Sequence, residues 1–69
     1  MKFKEFASWC SDRACDGYWG FNEAVICSGV ASDIYKLPFW KREKIWQTKY
    51  KEEVMPIVDA TNAKIKEVL

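Results

Sequence analysis

The side chains with the means to do chemistry are three cysteines, Cys10, Cys15 and Cys27, and two acids one helical turn apart, Asp12 and Asp16. Thiolates bind zinc, but a structural zinc site wants four ligands, usually with paired C-x-x-C-like spacing. Here the spacing is C-x4-C, a fourth ligand is missing, and one helix cannot aim both Cys10 and Cys15 at a metal. Thiols buried as small apolar residues are the better reading, with no metal and no cofactor expected. Paired carboxylates do acid–base work inside a cleft, and a chain of 69 residues has little room for one. Asp12 and Asp16 therefore read as solvated acids. They lie at the C-terminal end of a helix, against its dipole, so a base such as Arg13 should sit nearby. The chain lacks histidine, the commonest general base, and Gly17, Gly20 and Gly29 match no phosphate-loop spacing. The chain is not expected to be an enzyme.

Binding is the function class left, and composition says what could bind. Eleven of 69 residues are aromatic, including Trp9, Trp19, Trp40 and Trp46. A domain this small buries only about 60% of its unfolded surface, so some rings must stay outside, where they favour interfaces. Net charge is +1, but residues 36–51 carry six basic side chains against Glu43 alone. That stretch is the one footprint for an anionic partner. An odd number of cysteines argues for reduced thiols and a cytoplasmic setting. No apolar run approaches the roughly 20 residues of a membrane span, and the opening residues lack the apolar run of a secretory signal.

The elements that must position these residues are helices. Over 2–15, Phe3, Phe6, Ala7, Cys10 and Ala14 share one arc, with Trp9 and Arg13 on its flank, four apart, where guanidinium can stack on indole. Asp16-Gly17 is the natural stop. Over 20–36 the main arc is Ile26, Cys27, Val30, Ala31 and Ile34, while Phe21 and Val25 point elsewhere beside Ser28, Gly29 and Ser32. Apolarity on two sides marks a helix covered twice, by its own chain or by a partner. Past Leu37-Pro38, a stripe of Phe39, Trp46, Tyr50, Val54, Ile57, Thr61, Ile65 and Val68 runs on at near-heptad spacing, with a kink expected at Pro56. The first two helices span roughly 22 Å and residues 38–68 roughly 46 Å, so the last must bend or project beyond its own core. The predicted fold is all-α: one domain over 1–69, a three-helix bundle with a long, kinked C-terminal helix whose stripe could also pair two chains.

On that frame Trp46 and Tyr50 fall inward, and Lys41, Lys44 and Lys51 form the solvent face any helix needs. Trp40 lies between the two and should be exposed. Glu43 shares the inward arc, so either it pairs with Arg13 or it stands at the rim in water. In the Tyr18-Trp19-Gly20-Phe21 turn, Trp19 and Phe21 either plug the end of the bundle or meet a partner, and Tyr18 faces outward most readily.

Phe6, Trp9-Cys10, Arg13 to Gly17, Trp19-Gly20 and Pro38 to Lys44 resemble short uncharacterised proteins of phages and prophages of Gram-positive bacteria. That resemblance implies an anti-CRISPR-like or other host-directed inhibitor, acting on a host defence nuclease or another host protein, and gives no residue a role. The expected function is a non-enzymatic protein-binding module that occludes its target. Tyr18, Trp19 and Trp40 would be anchors, with Lys41, Arg42, Lys44, Asp12 and Asp16 as charged rim. The alternatives are nucleic-acid binding through 36–51 and a homodimeric structural protein.

Overall fold

The structure, a computed structural model, describes residues 1–68. Among them the chain is all helix and connection, running α1 (Phe3–Asp16), α2 (Phe21–Tyr35), α3 (Phe39–Ile45), a π-helical turn (Trp46–Tyr50) and α4 (Lys51–Val68). The last three are continuous and form one rod. A three-helix bundle with a long C-terminal helix is what the periodicity predicts.

Helix ends follow from local chemistry. The Glu5 carboxylate accepts from the Lys2 backbone N–H at 2.8 Å, satisfying one of the donors that every helix start leaves unpaired. Gly17 takes the left-handed conformation, φ 75°, and its N–H closes on the Arg13 carbonyl at 3.1 Å. At the end of α2 the Arg42 guanidinium donates to the Leu37 carbonyl (2.9 Å) and the Tyr35 carbonyl (3.0 Å). Orphan carbonyls at a helix C-terminus are thus met by a cation from the next helix.

The core is Phe3, Phe6, Trp9 and Cys10 of α1, Cys27, Val30 and Ile34 of α2, and Trp46, Val54 and Val58 of the rod. Trp46 and Phe6 stack at 4.5 Å at its centre. Trp9 is buried rather than flanking, stacked on Phe6, with its indole N–H donating to Asn62 Oδ1 at 2.9 Å. Arg13 lies over the Trp9 ring at 5.5 Å, as their spacing predicts.

Several expected inward residues point out. Phe21 does not plug the bundle: it is 83% exposed, because α2 begins at Phe21 and turns it opposite Cys27, Val30 and Ile34. Ile26 and Ala14 are exposed too, each at the edge of its arc. Phe39 keeps the inward phase, yet it is 75% exposed for want of a neighbour. Glu43 binds the first residue of α1, and Phe39 lies one turn, about 6 Å, beyond that point.

The π turn explains the rest of the rod. At 100° per residue Trp46 would sit about 80° away from the row Val54, Val58 and Thr61. A wide turn holds one extra residue for the same rotation. With it inserted between them, Trp46 and that row face one core, and all four are buried. A uniform helical count selects Ile57, which is only half-buried, and misses Val58, which is fully buried.

α4 passes through Pro56 without breaking. The carbonyl that Pro56 leaves without a donor belongs to Glu52, and both residues are exposed, so water can serve it. The longest extent of the molecule is 37 Å, and a straight 30-residue helix needs about 44 Å, so the rod either bends or runs oblique to that axis.

Candidate docking site at the aromatic end

One end of the bundle gathers the start of α1, the end of α2 and all of α3. Four hydrogen bonds fix it. The Phe3 N–H donates to Glu43 Oε1 at 3.0 Å, the Trp46 indole N–H donates to the Met1 carbonyl at 2.8 Å, and Gln47 Nε2 reaches both Glu43 Oε2 (2.6 Å) and the Met1 carbonyl (3.3 Å). Glu43 therefore caps α1 from across the bundle, and its negative charge suits the positive end of that helix. It does not pair with Arg13, which is taken by Asp16 at 2.6 Å. Glu43→Ala is expected to cost about 1 kcal/mol, the usual worth of an N-terminal cap. Urea titration would show it as a lower midpoint at unchanged slope.

Between these elements lies an open groove of ≈ 360 Å³, walled by Phe3, Tyr35 and Phe39 and edged by Lys4, Arg42 and Glu43. Phe3 meets Tyr35 edge-on at 5.1 Å, and Arg42 lies over the Tyr35 ring at 5.1 Å. Phe39 stands against Trp40 at 5.3 Å, and Trp40 is 68% exposed, as its position between stripe and lysine face predicts. Lys41 and Lys44 flank the pair on the exposed side of α3. Neither forms an ion pair among the described residues. Arg42 is half-buried and committed to the α2 carbonyls, so its first duty is architectural.

The other candidate residues lie away from this groove. Trp19 is half-buried against Trp9, edge-on at 5.7 Å, and caps the core at the α1–α2 turn. Its indole N–H is buried without a partner. Tyr18 is half-buried, and its backbone N–H closes an Asx turn on Asp16 Oδ1 at 3.0 Å. Asp12 is exposed. Asp16 is exposed too, and the hydrogen-bonded Arg13 guanidinium holds its carboxyl below the usual carboxylate range. The site residues named from sequence therefore divide. Trp40, Lys41, Arg42 and Lys44 gather at the α3 end, while Tyr18, Trp19, Asp12 and Asp16 belong to the α1–α2 turn. Sequence reading missed Phe39 and Tyr35, because periodicity gives the phase of a residue but not whether a neighbouring helix extends far enough to cover it.

The cysteines are all free, Cys10 and Cys27 buried and Cys15 exposed. Burial, with Cys27 close by, pushes the Cys10 thiol up to about 12; burial, with Glu23 near, pushes Cys27 up to about 11. The folded protein thus holds these protons to higher pH than the unfolded chain, whose thiols titrate near 9.0. Their contribution to stability is intact below pH 9.0 and is lost as pH rises through the folded values. Since each unit is 1.36 kcal/mol, a few kcal/mol are at stake. Melting temperature is expected to fall between about pH 9 and about pH 12, less steeply in Cys27→Ala. At neutral pH a thiol reagent should label Cys15 fast, and the other two only as fast as the chain opens.

No group of histidine, cysteine or acidic side chains among the described residues is placed to hold a metal ion, and no described helix is long and apolar enough to cross a membrane. The chain matches no protein-family model, no curated protein and no solved structure.

Proposed function

We propose that the chain is a non-enzymatic protein-binding module that docks through its α3 end and blocks its target by occupying space. The observation that supports this most is the pair Phe39 and Trp40, 75% and 68% exposed beside an aromatic groove. Large rings standing in water at the edge of a well-packed core are unfavourable for an isolated domain, and they are what a partner's pocket rewards. Lys41 and Lys44 then act as the charged rim, suiting an acidic surround on the partner. The thiols accord with a reducing cytoplasm, and inhibition of a host protein is the form that the resemblance to phage proteins suggests.

Wild-type chain and the double variant Phe39→Ala/Trp40→Ala should be used side by side as bait in cell lysate at moderate salt. Both rings are exposed, so the variant should keep its melting temperature. A partner retained by the wild type and lost by the variant supports docking at this end; equal recovery by both sinks it.

The lysines also keep a second reading in play. Lys41 and Lys44, unpaired and beside exposed Trp40, could contact phosphates while the indole stacks on a base. Affinity for single-stranded DNA or RNA falling steeply with salt would favour it.

A further inference from the structure

We infer that α2 is a self-pairing helix, and that two copies of this chain associate antiparallel through the face carrying Phe21 and Val25. This surface lies opposite the core and is made of residues other than those that line the α3-end groove, so it does not depend on the docking function proposed above.

An outward helix face on a small domain is ordinarily charged, and this one is not. From Phe21 to Ser32 the residues turned away from Cys27, Val30 and Ile34 are Phe21, Val25, Ser28, Gly29 and Ser32. Phe21 is 83% exposed and Val25 56%. The two large side chains occupy the N-terminal half and the small residues the C-terminal half. A Cβ added at Gly29 would meet nothing, so the space there is open.

That uneven distribution selects the partner and its direction. A parallel pair would set Phe21 on Phe21 and leave the small residues gaping. An antiparallel pair with its twofold axis level with Ile26 and Cys27 sets Phe21 over Ser32 and Val25 over Ser28 in a single register, twice over. Interfaces with a twofold axis are self-complementary in this way. Small residues let helices approach closely, and the antiparallel arrangement puts each helix N-terminus beside the other's C-terminus. No charged side chain on this stretch is forced against its twin.

The area indicates the strength. A face about 18 Å long and one helix wide covers roughly 200 Å² on each copy, and with a ring adding roughly 150 Å² on each side the pair buries roughly 700 Å² in all. That is below the size of interfaces that hold a permanent dimer. The dimer should therefore be weak and concentration-dependent.

Sedimentation equilibrium of the chain up to about 1 mM should show molar mass rising from 8.1 kDa toward twice that value. Val25→Lys should stay monomeric with unchanged helicity and melting temperature, since Val25 has no part in the core. Register is read in a Cys15→Ser background by mild oxidation of two single variants. Ser28→Cys lies near the twofold axis and should form a crosslinked dimer readily. Ser32→Cys lies about 16 Å from its twin along the axis and should not. Monomer mass throughout, a Val25→Lys variant that still dimerises, or Ser32→Cys crosslinking as fast as Ser28→Cys would each overturn the inference.

Discussion

Replacing Trp46 by alanine is expected to remove cooperative folding at 25 °C. The ring is fully buried, stacked on Phe6 at 4.5 Å, and its N–H is tied to the Met1 carbonyl at 2.8 Å. Large aromatics truncated in a core cost about 3–5 kcal/mol. A domain of this length has only about 3–10 kcal/mol in total, so one substitution can consume most of it. Trp46→Phe separates the contributions. It keeps most of the packing and loses the hydrogen bond, worth about 1 kcal/mol, while Gln47 still donates to the same carbonyl. Circular dichroism melts should show a cooperative transition for Trp46→Phe at reduced temperature and none for Trp46→Ala. A sharp melt in Trp46→Ala would mean that the core is not centred on this ring.

Removing one residue from the π turn is expected to be tolerated, whereas adding one is not. If the wide turn exists to bring Trp46 and the Val54–Val58–Thr61 row onto the same core, deleting Thr48 leaves an ordinary α-helix with both still in phase. Thr48 is exposed, and the hydroxyl bond it makes to the Lys44 carbonyl is local. Its deletion should move the melting temperature by only a few degrees in either direction. Inserting an alanine after Thr48 rotates the two halves a further 100° or so apart and takes either Trp46 or three buried residues out of the core. That variant should melt without cooperativity. Unfolding of both variants alike would show that the wide turn has some other cause.

Helix count, stop signals and most of the core could be read from the residue pattern, since period and capping chemistry are local. Gly17 ends α1, the Leu37-Pro38 step opens the rod, and Phe6, Val30, Ile34, Trp46 and Val54 face inward as their phase predicts. What could not be read depends on axial position and on irregular geometry. Phe39 has the right phase and the wrong height. Val58 becomes visible only once the extra residue near Thr48 is counted. The partner of Glu43 is a backbone N–H, which every residue but proline carries, so no side-chain pattern announces it. The candidate site was half legible for the same reasons. Trp40 and its lysines lie on one helix, but the groove beside them needs Phe3 and Tyr35 from two others.

The four indoles occupy unequal surroundings: Trp9 and Trp46 are shut in, Trp19 is partly covered, and Trp40 stands in water. An unlabelled sample therefore carries its own optical reporter. Iodide should quench the Trp40 emission first, and a ligand seated at the α3 end should shift that emission to the blue and shield it. Association through α2 should leave the colour unchanged, so one spectrum can tell which side of the molecule has been covered.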